Sequence, residues 1–173
     1  IMSQYDGLAA HSFDDLQKVT AGKTVALGLN ASPDRFGKDG ATTPQDLELQ
    51  LKLLTATITS FGFRPETDAQ WQAFASAIGT QLEATQMTVA ETQMPNLLAG
   101  GDNRVGIGNV NEIAKRSMAE AKSVIGGALA QDQIEIALIG DVDEAVAIGL
   151  VAKTLGALPK RSAKAAAVAP VRF

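Results

Sequence analysis

Ile134 to Pro159, IEIALIGDVDEAVAIGLVAKTLGALP, constrains this chain more than any other stretch. Ile134, Ile136, Leu138 and Ile139 form a short apolar run of strand type, and Gly140-Asp141 closes it with a turn. A helix is predicted to follow, capped by Asp141 or Asp143, with Ile148, Val151 and Leu155 recurring on one face until Gly156 and Pro159 stop it. A strand that hands directly to an amphipathic helix needs the two to pack on each other in an α/β or α+β core.

At 173 residues the chain is long enough for one domain, and 46% hydrophobic with 20% charged residues marks it as folded rather than disordered. Its net charge of −4 argues against a nucleic-acid surface, which needs clustered Lys and Arg; Lys160, Arg161 and Lys164 are too few. With no cysteine there is neither a disulfide nor a thiolate metal site, and no apolar stretch is long enough to read as a membrane span.

Taken in order, Ser12 caps a short helix whose apolar face is Phe13, Leu16 and Val19 and which Gly22 ends. Lys23 to Ala31 alternates Val25, Leu27 and Leu29 as a strand, Ser32-Pro33-Asp34 turns, and a weaker strand runs from Phe36 to Thr42. Thr43-Pro44-Gln45-Asp46 opens a helix with Leu47, Leu51, Leu54 and Ile58 on one face, predicted to be well buried. Glu66 to Glu83 is a second helix, with Trp71, Phe74, Ile78 and Leu82 in line and the tryptophan in the core. Thr88 to Glu91 has capping-box spacing for a helix that Pro95 kinks or ends. After a Gly-rich loop from Gly100 to Gly108, Asn109 and Glu112 open a helix that carries Ala114, Met118, Ala121, Ile125 and Leu129 along one face. Ser162 to Pro170 is Ala-rich and reads as a linker. Three strands or fewer are too small a sheet for five or six helices, so an incomplete domain is expected, with sheet partners outside this segment.

Few residues suggest chemistry. Gly22-Lys23-Thr24 matches the end of a phosphate-binding loop, but Gln17 stands where its first glycine belongs and a strand, not a helix, follows. Gly106-x-Gly108-x-x-Asn111 lacks the third glycine of a dinucleotide fingerprint and follows no strand, so a mobile loop is expected. Asp141 and Asp143 could converge on a divalent cation, although helix capping accounts for both. His11 is the only histidine, too few for a usual zinc site, and Ser12 beside it is explained as a cap. Tyr5, the only tyrosine, has no neighbouring sign of chemistry.

From about Gly7 to Pro159 the order of segments resembles a domain of the pitrilysin and insulinase-type zinc peptidases. Ala21-Gly22-Lys23 before a strand, Gly40, the helix opening Thr43-Pro44-Gln45-Asp46-Leu47-Glu48, its closure at Phe61-Gly62-Phe63-Arg64, the loop Gly100-Gly101-Asp102-Asn103-Arg104, the Gly140-Asp141 turn and the closing Leu155-Gly156-Ala157-Leu158-Pro159 carry the resemblance. It implies an α+β, helix-rich fold of LuxS/metallohydrolase type, a mainly antiparallel sheet covered by helices on one side. On that basis residues 1–159 are expected to form one partial, non-catalytic peptidase domain and 160–173 an interdomain linker.

Catalytic members of that family carry His-x-x-Glu-His, two zinc ligands with a general base, and a further glutamate on a later helix. This chain has no His-x-x-Glu-His, and Trp71 to Ile78 offers no carboxylate for the later ligand. The resemblance therefore implies the non-catalytic half of such an endopeptidase, forming a wall of the peptide-digestion chamber and binding substrate. Zinc is expected in the catalytic half, on the same protein or a companion subunit, and no catalytic, cofactor or metal residue is assigned here. The Arg and Tyr that the family's non-catalytic half places near the scissile bond have no counterpart, since no Arg stands close to Tyr5. The resemblance also implies an extracytoplasmic location and a peptide substrate. The alternatives are a non-proteolytic scaffold of the same fold, as in respiratory-complex core subunits, and a free-standing α/β enzyme using Asp141 and Asp143.

Overall fold

The computed structural model describes residues 6–31, 35–82, 84–102, 104–107, 110–162 and 169–170. Tyr5, the Ser32-Pro33-Asp34 turn, Asn103, Gly108, Asn109 and most of the Ala-rich stretch after Ser162 lie outside the described residues. Seven helices dominate what is described: α1 (Phe13–Val19), α2 (Leu47–Thr59), α3 (Glu66–Leu82), α4 (Gln86–Leu98), α5 (Val110–Ala114), α6 (Met118–Gln131) and α7 (Glu144–Lys153). Two strands, β1 (Gly28–Ala31) and β2 (Phe36–Asp39), pair antiparallel with Leu29 opposite Lys38 and Asn30 opposite Gly37.

The helix-rich character agrees with the sequence, whereas the extensive antiparallel sheet does not. Among the described residues the sheet is this two-stranded ribbon alone. Ile134 to Ile139, predicted to be a strand, forms no ladder: its backbone groups bond to no other described residue. The first strand is also shorter than predicted, since side chains satisfy the backbone that a neighbouring strand would otherwise take. Gln50, buried on α2, accepts from the Ala26 N–H at 3.1 Å and donates to its carbonyl at 2.7 Å, while Asp46 accepts from the Thr24 N–H at 2.8 Å. Gly40 lets the chain pass this close: a Cβ there would meet the Ala26 carbonyl oxygen at 1.9 Å.

Capping decides most helix boundaries. Ser12, Thr85 and Ser117 each form a reciprocal capping box, with Asp15, Thr88 and Glu120 respectively. Thr85 thereby starts α4 three residues before the predicted Thr88, and Pro95 falls in its last turn, so the helix ends soon after. The helix expected to run from Asn109 through Leu129 is two helices, α5 and α6. Ser117 takes extended geometry (φ −122°, ψ 161°), and the Met118 N–H is drawn to Asp68 of α3 at 2.7 Å. Trp71 donates its indole N–H to the Ile113 carbonyl at 3.0 Å, pinning α5 against α3. α2 in turn contacts α6 and α7.

The interior is thin. Among the described residues Leu8, Leu47, Leu51, Phe61, Ala75, Ala99, Met118 and Ala147 are the buried apolar side chains, and three of the eight are alanines. α2 buries Leu47, Gln50, Leu51 and Thr57, so Leu54 and Ile58 of its predicted face are left half-covered. On α7 the predicted contact residue Ile148 is 61% exposed and Ala147 is buried instead.

Candidate functional site

Several residues that the sequence singled out have a structural task in the fold. Gly22 sits at φ +75° in the turn after α1, which directs Lys23 toward Asp46 at 3.5 Å. With the Thr24 N–H also on Asp46, the Gly22-Lys23-Thr24 stretch ties the ribbon to the start of α2 and forms no phosphate cradle. That Thr24 hydrogen bond, followed by the Lys23 charge, holds the Asp46 carboxyl below its ordinary pKa. Asp143 caps α7 through the Val146 N–H at 2.9 Å, whereas Asp141 is exposed on the preceding turn. The Ser12 hydroxyl donates to Asp15 at 2.7 Å and is committed to the α1 cap, not to His11.

The Gly-rich loop after α4 is laced down rather than free. Asn96 of α4 donates to the carbonyls of Asp102 (2.9 Å) and Val105 (3.2 Å), and the Ile107 N–H returns to Thr92 at 3.3 Å. Gly106, at φ +74°, passes the Thr92 carbonyl so closely that a Cβ would lie 3.0 Å from it. Arg104 grips Asp102 through Nε and Nη2, and this pairing holds the Asp102 carboxyl down at about 2.

Among the described residues no group of three or more His, Cys, Asp or Glu side chains lies together.

Two features escaped sequence reasoning. Asp6 is completely buried and accepts from the N–H groups of Phe63 (2.5 Å) and Arg64 (2.6 Å) and from the Thr67 hydroxyl (3.1 Å). It holds the turn that leads into α3, while the N–H groups of Thr67 and Asp68 in the first turn of the helix go to the carbonyls of Arg64 and Pro65 at 3.1 Å each. The Arg64 guanidinium reciprocates by donating to the Leu8 carbonyl at 3.0 Å, and Leu8 bridges to Phe61. Lys38, half-buried over the Phe61 ring at 5.2 Å, has its pKa lowered by burial, with Asp6 opposing the shift.

The second is a trough of about 980 Å³. Leu47, Leu51, Leu54 and Ile58 of α2 line it, residues 37–44 and 132–142 bound it, and Leu155 and Arg161 complete the wall. Arg161 donates to the carbonyls of Leu129 (2.8 Å) and Asp132 (3.1 Å), satisfying the orphan end of α6, while its buried Nε has no partner among the described residues. This trough offers a concave, largely apolar wall. Its signal in the sequence was the mismatch of few strands and many helices.

No protein-family model and no curated protein matches the sequence. Solved structures do. The periplasmic protease PqqL from Escherichia coli matches 98% of this chain with a TM-score of 0.71 at 19% identity. A mutant of the ferredoxin protease FusC, in complex with Arabidopsis ferredoxin, matches 96% with a TM-score of 0.69 at 18% identity. Each match takes up 19% of the other chain, so this chain spans about a fifth of the length of those proteases. At such identities what is shared is the fold. The resemblance to pitrilysin-type proteases thus holds at the level of fold: the chain is shaped like a segment of that protease architecture.

Proposed function

We propose that this chain is part of the non-catalytic half of a pitrilysin-type zinc endopeptidase, where it forms one wall of the digestion chamber and contributes to binding an unstructured peptide or small protein. One observation carries the proposal. The chain matches protease structures along 96% and 98% of its own length, yet it offers one histidine and no cysteine as soft metal donors. A protease-type fold without a ligand set has to leave hydrolysis to another part of the protein. Zinc and the general base then sit in a catalytic half, on the same polypeptide or on a companion subunit. An extracytoplasmic location follows from the periplasmic PqqL by analogy alone. No helix among the described residues is long and apolar enough to cross a membrane.

The test is zinc content and chelator-sensitive cleavage of an unstructured fluorogenic peptide, on the natural polypeptide that contains this segment and on the segment alone. Stoichiometric zinc and cleavage in the former and neither in the latter is the expected result. Zinc-dependent cleavage by the segment alone would sink the proposal. Absence of both from the natural polypeptide, with any companion subunit added, would leave a scaffold of the same fold.

A further inference from the structure

Lys38 stands in β2 opposite Leu29, half-buried, with its Nζ 5.2 Å from the centroid of the buried Phe61 ring. It has no carboxylate of its own. Lys18, Lys23, Lys52 and Lys115 each pair with an acid, whereas Lys38 makes neither an ion pair nor a hydrogen bond among the described residues. Asp6, whose charge acts on it, is already taken up by the Phe63 and Arg64 N–H groups and the Thr67 hydroxyl. Asp39, next along the strand, is exposed and accepts from Asn30 at 2.8 Å. Burial accordingly lowers the Lys38 pKa, the effect that makes a lysine nucleophilic near neutral pH.

The same residue lines the trough. Leu47, Leu51, Leu54 and Ile58 make its α2 wall, about 16 Å long at the rise of a helix, and Phe61 follows just after that helix ends. An amine without a counter-ion thus borders a long apolar wall. We propose that Lys38 condenses reversibly with an aldehyde whose alkyl chain lies in the trough along α2. The Nζ lone pair attacks the carbonyl carbon to give a carbinolamine, and the carbonyl oxygen then leaves as water with the two amine hydrogens, so that an imine remains. Once protonated, that imine keeps a cation over the Phe61 ring, and the interaction already present survives the reaction. A fatty carboxylate is the poorer ligand, because it would pair with an ammonium and both charges would have to leave water.

The experiment incubates the chain at neutral pH with low-micromolar decanal and cyanoborohydride, which reduces an imine to a stable secondary amine, and maps every lysine by mass spectrometry. Lys38 is expected to be alkylated at least about tenfold faster than Lys18, Lys52 or Lys115, and to lose most of that lead with propanal, whose short tail gains little from the wall. No lead with decanal overturns the proposal, and an equal lead with both aldehydes overturns the trough as the binding site. Urea-unfolded chain is expected to show no preference among its lysines. A preference that persists there belongs to the local sequence Gly37-Lys38-Asp39 and overturns the proposal as well. Lys38→Arg, which retains a cation over Phe61, is expected to leave only the slow alkylation of the other lysines; unchanged total uptake of decanal speaks against Lys38 as the reacting amine.

Discussion

Asp6 concentrates more structure on one side chain than any other residue described. Three donors from the turn before α3 and its first helical turn converge on a carboxylate that has no exposure to solvent. Removing it leaves buried donors unsatisfied, each at a cost of about 1–3 kcal/mol. Asp6→Ala is therefore expected to destabilise the chain by about 3 kcal/mol in urea unfolding, and Asp6→Asn, which keeps an acceptor, by about half as much. A loss under about 1 kcal/mol for the alanine variant would show that Asp6 does not hold the turn before α3. Its role was illegible in the sequence because its partners lie 57 to 61 residues away, and no local pattern reports that distance. Asp102 makes the contrasting case, with its partner only two residues on. Arg104 lowers its carboxyl pKa in the fold to about 2, so its contribution is complete above the unfolded carboxylate range and disappears as pH falls through about 2. The Val105 and Ile107 amides of that loop are expected to exchange faster, relative to intrinsic rates, only as pH drops from about 4 to about 2, and a transition centred above about 4 would exclude Asp102 as its cause.

At the scale of elements, what could be read from sequence was whatever local chemistry decides. The Ser12 cap and the start of α7 beyond Asp143 follow from hydroxyl and carboxylate side chains meeting orphan N–H groups a turn away. The break between α5 and α6 was missed because the 3.6-residue periodicity of Ala114, Met118 and Ala121 continues across it. There a cap overrides a pattern: Ser117 and Glu120 form a reciprocal box, and Asp68 takes the next free N–H. Ser117→Ala is expected to cost about 1 kcal/mol, and Asp68→Ala a similar amount through the same helix end. Because both act on one terminus, the double variant should cost less than the sum; strict additivity in urea unfolding would show two independent sites. The strand at Ile134 to Ile139 was misjudged for the opposite reason. Local propensity is satisfied there, but a strand is completed only by a neighbour, and no described segment provides one.

For the whole molecule the decisive quantity is how little apolar surface the chain hides for its size. With 46% hydrophobic residues it could build a large core, yet Leu51 and Met118 are the only large apolar side chains among the described residues that are essentially inaccessible. Val124, Ile139, Val146 and Ile148 all remain more than half exposed. The denaturant slope of unfolding scales with the surface that folding buries, and small domains span about 1–3 kcal/mol/M in urea. A domain of 173 residues with a complete core belongs toward the upper end of that range. This chain is expected near the lower end, at about 1 kcal/mol/M, with a broad transition. If the chain unfolds with a slope of about 2 kcal/mol/M or more, it hides more apolar surface than the exposure of Val124, Ile139, Val146 and Ile148 implies.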